Sequence, residues 1–224
     1  LKGEDTNFFV IGDTQAENAA NIQNIAQYIG GSGLDYSFGI QTGDFVDSAS
    51  SYAQWAEILG VFSSNFSNVD MIHVLGNHEY AGDFDGDIAS SINMLASTSY
   101  YSVTYGNTYV AVINYCGAED LQKALAWVQE DALASDAIWK VLTLHQPPYY
   151  TNPTGGNDYI NLYVPPVVDA AGIDVVFSGH DHAYARTLPM TGGKVDELGG
   201  AVYYICDSED GEGWIYQTTA GRKG

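Results

Sequence analysis

Positive charge is scarce in this chain. Its 224 residues carry 7 Lys and Arg against 28 Asp and Glu, a formal net charge of −21 at pH 7. Duplex nucleic acid and anionic membranes need a basic face, and this balance denies them one. Most of the carboxylates read as a solubilising surface, and a subset as cation ligands. Cysteine is nearly absent too. Cys116 and Cys206 have no CxxC spacing, so a thiolate metal site is excluded. The sequence leaves their pairing open, and two ordinary half-buried thiols is the reading adopted. No apolar run approaches the roughly 20 residues that cross a bilayer. No signal peptide, repeat or low-complexity segment is visible. The scarcity of Lys beside abundant Asn, Ser, Gly and Tyr points to export, to an extracellular, cell-surface or periplasmic location. The chain begins at Leu1 without Met and ends at Arg222-Lys223-Gly224. It is therefore expected to be a single catalytic domain, residues 1–224, excised from a longer protein with additional domains.

Hydrophobic residues make up 46% of the chain, enough for one sizeable core. Asn7–Ile11 is a short apolar run that reads as a buried strand. Ile22, Ile25, Ala26 and Ile29 then recur at helical spacing until Gly30-Gly31. Tyr36–Gln41 is the next strand, and Tyr52, Trp55, Leu59 and Phe62 mark a second amphipathic helix. Met71–Leu75 completes a β-α-β-α-β rhythm, the pattern of parallel strands in a layered α/β fold. Tyr100–Tyr105 and Thr108–Tyr115 flank Gly106-Asn107 and predict a hairpin. A helix through Leu121, Leu125, Val128 and Ala132 follows, then a strand at Trp139–Leu144. A short helix near Leu162–Ala171 and a strand at Ile173–Phe177 come next. Ala185–Leu188 and Ala201–Ile205 alternate as strands do. The expected fold is α/β: two packed mixed β-sheets, a β-sandwich, with helices outside.

Five polar clusters follow five of these strands: Asp13, Asp44, Asn77-His78, His145, and His180 with His182. Sites in α/β sheets form beyond the carboxyl ends of strands, so the five are expected along one rim. Four of the five histidines of the chain fall in these clusters, which core packing does not explain. A Gly precedes every cluster except His145, and is read as relief for a sharp strand-to-loop turn. Carboxylate, amide oxygen and imidazole without thiolate suit Zn, Fe, Mn or Co better than Ca or Mg. The set exceeds the needs of one ion. Two ions sharing Asp44 would use it fully, and such a centre polarises a phosphoryl group and lowers the pKa of a bound water. The chemistry indicated is hydrolysis of a phosphate ester.

In order, the blocks read GDTQ (12–15), GDFVD (43–47), GNHEY (76–80), LHQPPYY (144–150) and GHDHAYAR (179–186). This series resembles the calcineurin-like metallophosphoesterase superfamily. In its last block it is nearest the purple acid phosphatase branch. The resemblance implies a β-sandwich with flanking helices and two transition-metal ions, Fe, Mn or Zn. It implies Asp13, Asp44 and His182 on the first ion and Asp44, Asn77, His145 and His180 on the second. His78 would face the phosphate as general acid, with Asp47 pairing with it to set its tautomer, and Glu79 would be structural. Attack on phosphorus would come from a metal-bound hydroxide. Two departures stand out. Gln15 occupies the place where many family members have a His, and its amide oxygen is a candidate first-metal ligand. Asp47 stands where the purple branch has its metal-binding Tyr. The expected substrate is a small phosphomonoester or nucleotide rather than a diester. The alternative is an exported metal-binding surface module with the same fold and little turnover.

Other features carry blander readings. His73 lies inside a strand and is read as packed there. Arg186 is read as bracing its loop. Tyr80, Tyr149 and Tyr150 are candidate pocket residues. The acidic stretches Asp83–Asp87 and Asp207–Gly213 are read as solvated loops, since neither has the ligand spacing of a Ca site.

Overall fold

The computed structural model describes residues 5–15, 19–80, 99–151, 157–206 and 214–218. Both acidic stretches just named lie outside the described residues. The first half forms β1 (Thr6–Ile11), α1 (Ala19–Gly30), β2 (Phe38–Gln41), α2 (Tyr52–Asn65) and β3 (Asp70–His73). The three strands pair in parallel, Phe8 opposite Phe38 and Phe38 opposite Asp70. A strand not anticipated from the sequence, β12 (Trp214–Thr218), pairs antiparallel with β1 on its other edge. The sheet order is β12-β1-β2-β3.

The second half builds a six-stranded sheet. It contains β4 (Tyr100–Tyr105), β5 (Thr108–Ile113), α3 (Ala118–Ala134), β6 (Trp139–Leu144), α4 (Asp158–Ala171) and β7 (Val175–Ser178). Two further strands, β8 (Ala185–Arg186) and β11 (Val202–Ile205), complete the order β4-β5-β6-β7-β11-β8. The first pair is the expected hairpin, with Tyr105 opposite Thr108 across a two-residue turn at Gly106-Asn107. Gly106 turns with φ +54°, where a side chain would be strained. Between β8 and β11, β9 (Met190–Thr191) and β10 (Lys194–Val195) form a small two-stranded pair.

Alternation along the strands sorts the core into layers. Phe8 and Val10 of β1, Phe38 and Ile40 of β2, and Ile72 of β3 meet Val110, Val112, Val141 and Phe177 of the other sheet. Phe9 and Ile11 point the opposite way, onto Ile22, Ile25, Ile29, Trp55, Ile58 and Phe62 of α1 and α2. Tyr109, Ala111, Leu142, Leu144 and Val176 likewise pack under Leu121, Leu125, Val128, Ile160, Val164 and Val168 of α3 and α4. The result is the expected α/β sandwich: two sheets face to face, with helices on both outer faces. Within α2 the buried stripe shifts from the sequence reading. Ile58 and Val61 are buried while Tyr52, the first residue of the helix, is 69% exposed. The two cysteines are not joined in a disulfide.

Candidate metal centre

Sandwich packing brings the ends of β1, β2 and β3 in one sheet next to the ends of β6 and β7 in the other. Each ligand-bearing loop is then stitched to a neighbour by main-chain bonds. Asp13 N donates to Gly43 O at 3.0 Å, and Gly179 N donates to His145 O at 2.8 Å. The backbone at the site is strained. Asp13, Asp44, His180 and His182 all hold positive φ, from 47° to 75°, and they are the non-glycine residues recorded in that region among the described residues. Such a conformation costs on the order of 1–3 kcal/mol each and concentrates at functional sites. A fully buried Phe or Val contributes about 1.5–3 kcal/mol, so the layered core carries the strain.

Gly43 turns as expected, with φ +108°, but the role given to the other three glycines is corrected. At Gly12 and Gly179 the following ligand residue takes the left-handed turn, and in the block that Gly76 opens no residue does. What Gly76 and Gly179 provide is room. A Cβ on Gly76 would lie 2.2 Å from Asp44 Oδ1, and one on Gly179 would lie 2.3 Å from Asp13 Oδ2.

The expected metal residues do come together. His145 is fully buried at the centre, and its Nδ1 donates to the main-chain carbonyl of Thr42 at 3.0 Å. That bond aims Nε2 into the site, the usual way a ligating imidazole is oriented. Around Nε2 sit Asp44 Oδ2 at 3.0 Å, Asn77 Oδ1 at 3.1 Å and His180 Nδ1 at 3.3 Å. On one side, both Asp13 oxygens accept from His180 N at 2.8 and 2.9 Å, and Asp13 Oδ1 lies 3.7 Å from His182 Nε2. Gln15 Nε2 is 3.2 Å from the same His182 nitrogen. On the other side, Asp44 Oδ1 accepts from His78 N at 2.9 Å, and His78 Nε2 is 3.9 Å from Asp44 Oδ2.

These residues fit a cation. A single Nε2 proton cannot serve three acceptors at once. Two donors each about 2.1 Å from one ion and at right angles to each other would lie about 3 Å apart, close to the spacings here. Asp44, His145 and His180 each offer one ligand atom within 4.8 Å of the others. The field agrees. Burial alone would lower His145, yet the Asp44 carboxylate, with Asp13 and Glu79 behind it, lifts it to about 9. Burial opposes ionisation of Asp44, but His145 and the hydrogen bond and charge of His78 hold it below its ordinary value. The site demands positive charge, and a proton on His145 answers that demand when no metal ion does.

Two of the expected roles change in detail. The partner of His78 Nδ1 is the main-chain carbonyl of Asp47, at 2.8 Å. The Asp47 carboxylate instead accepts from Gln54 Nε2 at 3.2 Å, because α2 presents Gln54 to it. The tautomer of His78 is set by backbone, not by a charge pair. Glu79 is structural in a specific way. Fully buried, it accepts from Asp44 N, Phe45 N and Gly76 N at 2.9, 2.8 and 2.7 Å. It thereby locks the β2 and β3 loops together. Burial, and then the Asp44 charge, push its carboxyl up to about 7, against the pull of its main-chain donors. The sequence signalled neither Thr42 nor the Asp47 carbonyl, since a main-chain group has no residue identity.

The remaining candidates divide. His73 packs edge-on against Phe45, centroids 5.1 Å apart, and burial pushes it down to about 4. Arg186 is exposed and lies over the Tyr204 ring at 5.8 Å, bracing β8 on β11. Tyr149 stacks edge-on against Tyr203, whereas Tyr80 and Tyr150 are exposed. Thr151, next to Tyr150, donates to Asp181 through both its N and its Oγ1, which ties that loop to the His180–His182 turn.

A model of the calcineurin-like phosphoesterase family matches residues 6–184, a span that contains every candidate metal-ligating residue from Asp13 to His182. The chain belongs to the calcineurin-like phosphoesterase family. Purple acid phosphatase 18 of Arabidopsis thaliana is 28% identical over 123 residues, which are 52% of this chain and 28% of that protein. A purple acid phosphatase from yellow lupin (Lupinus luteus) seeds superposes with a TM-score of 0.67 at 16% identity, over 100% of this chain and 47% of that one. A dimetal phosphatase of Danio rerio gives a TM-score of 0.66 at 15% identity, over 89% and 86%. At such identities the solved structures establish the fold. The chain spans about a quarter of the Arabidopsis relative and about half of the lupin chain. Membership of the calcineurin-like phosphoesterase family accounts for the order of the five blocks, and the geometry above accounts for why that order matters.

Proposed function

We propose that this chain is the catalytic domain of a metal-dependent phosphoric ester hydrolase with a dinuclear centre. The observation that carries the reading is the meeting of Asp44 Oδ2, Asn77 Oδ1 and His180 Nδ1 around His145 Nε2 within 3.3 Å, with His78 poised beside Asp44. Asp13, Gln15, Asp44 and His182 would hold one ion, and Asp44, Asn77, His145 and His180 the other. Bound there, two transition-metal ions would neutralise the phosphoryl oxygens and activate water for attack. They would also supply the positive charge that draws a phosphate to a protein of net charge −21.

The chain's own residues supply the rest. His78 Nδ1 donates to the Asp47 carbonyl, so Nε2 is the nitrogen free to exchange protons. Protonated, Nε2 donates to the departing alkoxide; neutral, it recovers a proton from solvent, which its 35% exposed side chain admits. Asp47 acts as a positioning residue through its carbonyl. Glu79 holds Asp44 and Gly76 in register, so that His78 and Asp44 keep their spacing. The preferred substrate is a small phosphomonoester or nucleotide, and the proposed location is outside the cytoplasm.

The test is release of nitrophenol from para-nitrophenyl phosphate and its bis-ester, after chelation and then with Mn, Zn or Fe restored. Metal-restored turnover supports the hydrolase, and the ratio of the two rates assigns monoester or diester. No turnover of either ester with metal demonstrably bound favours the metal-binding surface module.

A further inference from the structure

We infer that the chain carries a second ligand site, at the opposite end of the six-stranded sheet from the metal centre and shaped for a small organic cation. A cavity of about 340 Å³ opens there, within the range of roughly 300–1,000 Å³ typical of small-molecule sites. β6 starts at Trp139 and ends just before His145, and β7 starts at Val175 and ends just before Gly179-His180. Six residues of extended chain thus separate Trp139 from His145, about 20 Å. β8 runs antiparallel to β11 and carries the chain back to this far end before β9 and β10.

The floor of the cavity is the inner face of the sheet. Val141 pairs with Val175 and Val175 with Val202, so the three stand in one row. Trp139 lies two residues before Val141, on the same face. Val141 packs between the sheets and is 2% exposed, whereas Trp139, Val175 and Val202 are half-buried and line the cavity. The segment 189–200 contributes Pro189, Glu197 and Leu198. Main-chain bonds hold that segment in place: Asp196 N donates to Pro189 O at 2.8 Å, Gly200 N to Asp196 O at 3.0 Å and Met190 N to Ala201 O at 2.8 Å. Asp174 is fixed by Lys140 N, which donates to its Oδ2 at 2.8 Å, and by Val202 N, which donates to its main-chain O at 3.0 Å.

The lining decides the class of ligand. Asp174 and Glu197 are its charged groups, and no basic residue is among the described residues that line it. Lys140, next to Trp139, is turned away and donates its Nζ to Ala132 O on α3. An anion is therefore disfavoured. The rest of the lining is indole and largely aliphatic, too poor in oxygen for a bare Ca or Mg ion. An alkylammonium head suits both halves. Its charge meets the carboxylates, its methyl groups pack on the valines, and indole is the best cation–π partner.

The test is titration calorimetry of the Mn-loaded protein with choline and with its uncharged tert-butyl isostere. Physiological salt keeps the net charge of −21 from gathering cations unspecifically. One saturable choline site per chain is expected, with the isostere at least about tenfold weaker. Trp139→Leu should weaken choline at least about tenfold, the scale of a desolvated cation–π contact. Asp174→Asn keeps an acceptor for Lys140 N and should weaken it too, and Glu197→Gln at the exposed rim should do so about two- to fivefold. Should Trp139→Leu or Asp174→Asn fail to fold, Glu197→Gln and the isostere still decide. No saturable choline binding overturns the inference, as does an isostere that binds equally. Binding that survives all three substitutions lies elsewhere on the molecule and overturns it too. Each of these failures leaves the metal centre and the hydrolase reading untouched.

Discussion

Replacing Gly179 by Ala tests whether the glycines of the site exist for room. The added Cβ would stand 2.3 Å from Asp13 Oδ2 and 2.9 Å from Thr42 Oγ1. Ordinary contact begins at 3.4 Å, so the Asp13 carboxylate must withdraw by about 1.1 Å. In withdrawing it gives up the bonds it accepts from His180 N at 2.8 and 2.9 Å. A displacement of about 1 Å at a catalytic geometry costs on the order of 100-fold in rate. Overpacking at one methyl costs about 1–3 kcal/mol of stability, which a domain of this size survives. The expected outcome is a folded protein whose kcat/KM for para-nitrophenyl phosphate falls about 100-fold. Urea denaturation monitored alongside should show a midpoint reduced but still cooperative. Gly60→Ala is the control: it lies in α2 with nothing within 4 Å of the added Cβ. It should leave turnover unchanged and stabilise by up to about 1 kcal/mol. Turnover of Gly179→Ala within threefold of wild type would refute the reasoning.

Four further outcomes are expected. His78→Ala should lose at least about 100-fold in turnover while keeping its metal content, since general acid catalysis is worth 10²–10⁴-fold; full turnover with metal bound sinks the acid role. Asp47→Ala should keep more than a tenth of the activity, because the carbonyl that holds His78 survives; a loss equal to that of His78→Ala would show that the carboxylate matters after all. Glu79→Ala leaves three buried N–H groups without their acceptor. At about 1–3 kcal/mol for each orphaned group, it should lower urea stability by at least 2 kcal/mol; an unchanged midpoint would count against the clamp. His73 is neutral in the fold, pushed down from 6.5 to about 4 by burial, while its unfolded form takes up a proton below 6.5. Its stability contribution is thus intact above pH 6.5 and lost as pH falls towards 4, reaching about 2 kcal/mol at pH 5. His73→Phe should flatten that part of the pH dependence, measured by urea denaturation of metal-free protein at pH 7.5 and 5.0, and an identical pH dependence in both proteins would refute it.

The strands and helices that carry the site were legible because their signals are local. Asn7–Ile11, Tyr36–Gln41 and Met71–Leu75 are apolar runs bounded by Gly and polar residues, and Ile22, Ile25, Ala26 and Ile29 repeat at helical spacing. The sequence likewise placed Asp13, Asp44, Asn77, His145 and His180 just beyond strand ends. It gave no sign of β12, whose pairing with β1 joins Thr218 to Thr6 across the whole chain. Nor did it reveal the short strands β9 and β10, two residues each, since period-two alternation needs more length to show.

What the sequence by itself determined is chemistry and order: which side chains can ligate, that thiolates cannot, and that each ligand follows a strand. Residue type and spacing along the chain are enough for that. Tertiary structure alone decided how the ligands face one another. The two sheets had to pack before His145 could meet Asp44 and Asn77. Thr42 and Asp47 act through carbonyls that any residue would have offered. Glu79 became a clamp because its carboxylate was buried among N–H groups from two separate loops. Gly179 became necessary because Asp13, 166 positions earlier, lies where its side chain would be. These are through-space relations between distant segments, and main-chain groups leave no mark in the order of side chains.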